Sequence, residues 1–162
     1  MRKIKLIIIH CSATPNDRTL GPNPTVEIDK WHTERGFRRS PYWRKRFNPE
    51  LTSIGYHYVI SRTGNIYPGR HEAEVGAHVA DWNAHSLGIC LIGTDAFTAE
   101  QFATLKKLLT ELGNKLQIPR APPKLSGAHR ILRPGVCGHR DIPGVQKSCP
   151  GFSVAEWLAT WK

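Results

Sequence analysis

The sequence predicts one α/β domain over residues 1–162, with a central mixed β-sheet flanked by α-helices. IKLIIIH, near the N-terminus, is an apolar run of strand length. LGICLIG, over Leu87–Gly93, is a second continuous apolar run, the pattern of a strand buried on both faces. From Thr98 to Leu116 apolar residues recur at helical spacing. Strands and helices alternate along the chain, as in a sheet with helices packed on it. No repeat and no linker interrupts the 162 residues, which are enough for one core.

The elements follow in order. Ile4–His10 reads as the first strand. Side chains alternate along it, so His10 faces a cleft if Cys11 enters the core. Ser12–Pro24 is rich in turn formers and reads as a loop. Asn23 and Pro24 make a helix start, with Asn as N-cap and Pro at the first helical position. That helix runs to Arg35 and stops at Gly36, with Val26, Ile28 and Trp31 inward and His32 on the surface. Arg38–Ser53 is a basic, aromatic insertion. Gly55–Ile60 (GYHYVI) reads as a strand of strong β-formers, with Tyr56, Tyr58 and Ile60 on one face. The Thr-Gly-Asn turn within Arg62–Tyr67 suggests a hairpin.

Gly76–Ser86 is a loop carrying His78, Trp82, Asn83 and His85. Thr98 and Gln101 form a capping-box pattern ahead of Phe102, Leu105, Leu109, Leu112 and Leu116, and Pro119 ends the helix. Ile118–Pro134, rich in Pro and Arg, reads as irregular. Val136–His139 is a short strand that presents His139. Ser153 and Glu156 start a last helix to Trp161.

The formal net charge of +10 points to an anionic partner. Nucleic acid, lipopolysaccharide, acidic lipid and acidic wall polymer all qualify. Arg35–Arg46 (RGFRRSPYWRKR) interleaves arginine with aromatics. It is either an anion-binding surface, reaching wall or outer-membrane polymer through Arg38–Arg46, or a solvated insertion. No apolar run approaches the ~18 residues of a membrane span. The N-terminus is basic and then apolar, but Leu6–Ile9 falls short of the ~7–15 residues of a signal-peptide core. Without an export signal, the four cysteines (Cys11, Cys90, Cys137 and Cys149) suit reduced thiols or metal ligation better than disulfides.

The chemistry concentrates in GHRDIPGVQKSCPGF, Gly138–Phe152, which holds His139, Lys147 and Cys149. Imidazole and thiolate are preferred zinc ligands. A third ligand can come from His10, at the tip of the first strand. Three protein ligands leave a fourth position for water, the layout of a catalytic site. Paired C-x-x-C spacing is absent, which argues against a nucleic-acid-binding protein with structural zinc. Lys147 is either a charge aimed at a developing oxyanion or a surface lysine. Tyr56 either orients water and relays a proton or is a packed strand aromatic. Asp141 either braces the loop or simply forms a turn. His78, Trp82 and Asn83 are candidate substrate contacts.

HCSAT, GYHYVI, HVADWNAHSLGICLIG and GHRDIP…KSCPGF occur in this order over nearly the whole chain. Together they resemble the zinc-dependent N-acetylmuramoyl-L-alanine amidases. That family includes phage lysozyme-type endolysins and is similar to the peptidoglycan recognition proteins. The resemblance implies one Zn2+ per chain on His10, His139 and Cys149, with Tyr56 and Lys147 catalytic. It implies a peptidoglycan substrate, cut between N-acetylmuramic acid and L-alanine. The implied setting is a monomeric phage endolysin, made in the host cytoplasm without a signal peptide and acting on the wall after release. A non-catalytic peptidoglycan-binding module and a cytoplasmic muropeptide-recycling amidase are the alternatives. Arg38–Ser53 and Ile118–Pro134 depart from the simplest phage members.

Overall fold

The computed structural model describes residues 1–161. At its centre is β1 (Leu6–Cys11), a strand buried at every position. It pairs in parallel with β4 (Ser86–Leu91) on one side and β7 (Gly135–Gly138) on the other. β2 (Tyr58–Ile60) adds in parallel to β4, and β3 (Ile66–Pro68) closes that edge antiparallel to β2. The sheet is therefore mixed, in the order β3-β2-β4-β1-β7.

Alternation sorts the strand side chains into two layers. Ile7 and Ile9 join Leu87, Ile89, Leu91 and Val136 beneath α3 (Ala99–Leu116) and α4 (Val154–Ala159). Leu6 and Ile8 point the other way, toward Val79, Trp82, Cys137 and Ile142. On that second face β4 presents Ser86, Gly88 and Cys90, all small. The row of small residues leaves height above the sheet, and the candidate site occupies it. A Cβ at Gly88 would lie 2.8 Å from the His78 ring, so only glycine allows the ring to lie there.

α3 begins as its sequence suggests, with Thr98 and Gln101 in a reciprocal capping box. α1 (Pro24–Glu34) starts at Asn23, whose side chain accepts from the Thr25 N–H. The inner side of α1 differs from expectation. Val26 is 44% exposed, while Ile28, Asp29 and His32 are buried. His32 is not a surface residue: its Nδ1 accepts the Gly55 N–H at 2.8 Å. Asp29 accepts the N–H groups of Ser53 and Ile54 at 2.7 Å each. α1 therefore covers the loop around Ser53–Gly55 as well as the sheet, and its inward polar side chains must satisfy loop backbone. That requirement blurs the apolar periodicity.

Four further differences concern the extent of single elements. The strand expected from Gly55 begins only at Tyr58. Ahead of it the backbone is irregular, so Tyr56 packs toward α1, while Tyr58 and Ile60 face α3. Arg38–Ser53 contains α2 (Pro41–Arg46) and a buried anchor, Arg39, ion-paired to Glu74 at 3.0 Å. Ile118–Pro134 is not irregular throughout but holds a hairpin of β5 (Lys124–Ser126) and β6 (Arg130–Arg133). Its Leu125 and Ile131 pack against the Ile8–Trp82 cluster. α4 stops at Ala159, short of Trp161. No helix among the described residues is long and apolar enough to cross a membrane.

Candidate active site

The register of the parallel strands brings the two histidines together. Ile9 of β1 stands beside Gly138 of β7. The next step along each chain sets His10 beside His139, with ring centroids 4.7 Å apart. Both lie at the C-terminal ends of parallel strands, where open α/β sheets place their ligands. Asp141 accepts the Gly138 N–H at 2.7 Å and pins the turn that carries His139. The Arg140 N–H donates to the Cys149 carbonyl at 2.8 Å, tying the two donor-bearing segments together.

Cys149 thereby arrives with its Sγ 3.8 Å from His10 Nδ1. The Cys11 N–H, 3.3 Å from that sulfur, stands ready to support a thiolate. One donor atom from each of His10, His139 and Cys149 lies within 4.8 Å of the others. Donors around a tetrahedral zinc sit about 3.3–3.7 Å apart. Two imidazoles and one sulfur within 4.8 Å of one another are a donor set that would hold zinc after a small closure.

Charge favours the same reading. Burial, followed by the neighbouring His139 and Lys147, holds His10 well below the usual histidine range. Burial and Lys147 bring His139 down to about 4. Both rings are neutral at neutral pH and offer lone pairs. The contact with Cys11, and then burial, push the Cys149 thiol up, so a bound metal must displace its proton. Burial, reinforced by Cys90, Cys149 and Cys11, raises Tyr56 well above its ordinary value. Its hydroxyl therefore keeps its proton, and its ring lies 5.1 Å from that of His10.

A cavity of about 210 Å³ covers the donors and includes Tyr56, His32 and Lys147 in its lining. It opens into a groove of about 750 Å³ that shares Arg35, Phe37, His78, His139 and Lys147 with it. Lys147 is exposed and stands at the junction. His78, Trp82 and Asn83 all line the groove. Their polar contacts, however, run inward. Trp82 is only 4% exposed and packs on Leu6 and Ile8. Asn83 Oδ1 accepts the N–H groups of His78 and Val79 at 2.9 Å each. His78 Nδ1 lies 2.9 Å from His10 Nε2. Sequence reading overlooked His32 and Arg35 as cavity-lining residues. Their i,i+3 spacing, which puts both on one face of a helix, was the available signal.

The sequence pattern of the N-acetylmuramoyl-L-alanine amidase family matches residues 1–152. The endolysin of Escherichia phage T7 is 32% identical over 159 residues, covering 93% of this chain and 83% of the phage protein. Peptidoglycan-recognition protein SC2 of Drosophila melanogaster is 34% identical over 111 residues, 67% of this chain and 53% of that protein. Among solved structures, the N-acetylmuramoyl-L-alanine amidase LysC from Clostridium intestinale superposes with a TM-score of 0.67 at 25% identity. That match covers 98% of this chain and 87% of LysC. The chain belongs to the N-acetylmuramoyl-L-alanine amidase family, and its activity is that of the family, amide hydrolysis in peptidoglycan.

Proposed function

We propose that this amidase is a zinc-dependent phage endolysin. It cleaves the bond between N-acetylmuramic acid and L-alanine with one Zn2+ held by His10, His139 and Cys149. The convergence of those three donors beneath a groove carries the reading. Zinc bound there supplies a water of lowered pKa and polarises the scissile carbonyl.

The remaining chemistry falls to the chain itself. The groove accepts the glycopeptide alongside His78, Trp82 and Asn83. The Lys147 ammonium, at the cavity mouth, stabilises negative charge as it grows on the lactyl carbonyl oxygen. Tyr56 retains its proton and orients or relays it toward the leaving amine. Water adds to the carbonyl carbon, the C–N bond breaks, and the products are a lactyl carboxylate and the freed amine of L-alanine. One chain carries every donor, so a monomer suffices. Relatives named endolysin, from phages T7 and T3, support synthesis in the host cytoplasm and action on the wall after release.

The exposed Arg44, Lys45 and Arg46 of α2, with Arg38, engage an anionic wall or outer-membrane polymer. Arg39 takes no part, since Glu74 holds it in the interior.

Purified walls incubated with the protein should release L-alanine amino termini, and a chelator should stop the release. Wild-type protein should hold one zinc per chain, and His10→Ala and His139→Ala should lose it. Full zinc retention by both variants, or a zinc-loaded wild type that frees no amino termini, would overturn the assignment.

A further inference from the structure

We propose that His78 is a positioning residue, which holds His10 in the tautomer that offers Nδ1 to the metal. The consequence for metal binding rests on the zinc reading above. The tautomer itself follows from a chain of hydrogen bonds that starts at a backbone carbonyl. The Trp82 carbonyl can only accept, so the Ser86 hydroxyl, 2.9 Å away, donates to it. Ser86 Oγ then has only lone pairs for His78 Nε2, which lies 3.2 Å away. His78 Nε2 must therefore carry the ring's hydrogen. A neutral imidazole has a single N–H, which leaves His78 Nδ1 as a bare acceptor. His10 Nε2, at 2.9 Å, donates to it. The lone pair of His10 is thereby left on Nδ1, the nitrogen 3.8 Å from Cys149 Sγ.

His10 is 1% exposed, and among the described residues no carboxylate is a hydrogen-bond partner of either ring, so each ring is neutral with one hydrogen to place. The slot for His78 is closely shaped. A Cβ at Gly76 or at Gly88 would come within 2.8 Å of the ring. Asn83 holds the backbone beneath it, accepting from residues 78 and 79. Hydrogen-bonded partners of this kind fix a ligand's ring and tautomer, and losing one typically lowers metal affinity about 10–100-fold.

Nitrogen-15 NMR of metal-free, histidine-labelled wild type reads the tautomers directly. His10 should be in the Nε2–H form, and an Nδ1–H form would overturn the proposal. His78→Leu fills the slot without offering an acceptor. Zinc affinity, measured in competition with a chromophoric chelator, should then fall about 10–100-fold, and Nδ1–H should appear on His10. His78→Asn sets a carbonyl oxygen where Nδ1 stood and should recover most of the loss. Unchanged affinity in the leucine variant, or a folded asparagine variant as weak as leucine, would show that the ring only fills space. Should His78→Leu fail to fold, the wild-type tautomer and the asparagine variant still decide. A wild type that binds no zinc would sink the zinc reading, while its His10 tautomer would still test this proposal.

Discussion

Two polar clusters of this domain are built to opposite ends. In the first, Glu74 receives Arg39 at 3.0 Å and Arg70 at 3.7 Å. The remaining guanidinium donors go to the carbonyls of Phe47, Asn48, Leu51, Ser53, Ile54 and Val75 among others. Both guanidiniums and the carboxylate are fully engaged, so the cluster is closed and can serve only as scaffold. In the second, His10, His139 and Cys149 bring one lone-pair-bearing atom each within 4.8 Å of the others, and the Cys11 N–H meets only the sulfur. Burial alone does not mark a site. A convergence of lone pairs is what a metal needs.

The comparison can be broken at either cluster. Cys149→Ser should have the largest effect. It exchanges a soft thiolate for a poor zinc ligand, so wall cleavage should fall to background and zinc should be lost. The metal-free variant should unfold close to the urea midpoint of metal-free wild type. A large drop in metal-free stability would mean that the open cluster is scaffold after all. Glu74→Leu should do the reverse. It strands two buried guanidiniums and should cost about 3–5 kcal/mol in urea unfolding. Whatever remains folded should still bind one zinc. Intact stability would show that the ion pairs do not hold the Arg38–Ser53 segment.

Lys147→Ala tests a charge that belongs to neither cluster. Zinc content should stay at one per chain while kcat falls by about 10²–10³, and zinc loss in this variant would reassign the lysine to metal binding.

His32 falls between the two types, since it lines the cavity yet its Nδ1 is occupied by Gly55. Burial and nearby Arg35 bring it to about 4, against 6.5 unfolded. Its stabilisation is therefore present above pH 6.5 and is lost as pH falls toward 4, on the order of 3 kcal/mol at the limit. Urea midpoints across that window should fall more steeply for wild type than for His32→Asn, and parallel curves would remove the role.

The smallest effect belongs to the surface. Glutamine at Arg44, Lys45 and Arg46 should weaken wall binding several-fold at low salt. The difference from wild type should fade near 1 M, where the screening length is about 3 Å. Equal binding at low salt would leave α2 a solvated insertion.

The strands at the centre and α3 were legible because their signals are local. Ile7, Ile9, Leu87 and Ile89 need only alternation, and Thr98 with Gln101 need only a four-residue motif. His10, His139 and Cys149 were legible as residue types, and their motifs placed them at element ends. What stayed hidden depends on contacts distant in sequence. His32 is polar on a helix, and nothing nearby announces that Gly55, 23 residues away, needs an acceptor. Tyr56 sits where a strand-like composition meets irregular backbone, so alternation assigned it the wrong neighbours. The β5–β6 hairpin lies in a Pro- and Arg-rich stretch, and its stability comes from Leu125 and Ile131 resting on distant Ile8 and Trp82. His78 looked like a groove residue because its partner, His10, is 68 positions away.

The pairing of β1 with β7, Leu6 beside Gly135, has a consequence during synthesis. The central strand leaves the ribosome well before its outer parallel neighbour. Contacts so far apart close slowly and late. As the nascent chain leaves the ribosome, His10 is present long before His139 and Cys149. Until residue 149 has emerged, only part of the donor set exists, and the site is incomplete. The hydrolase site is therefore assembled late relative to the strand that anchors it.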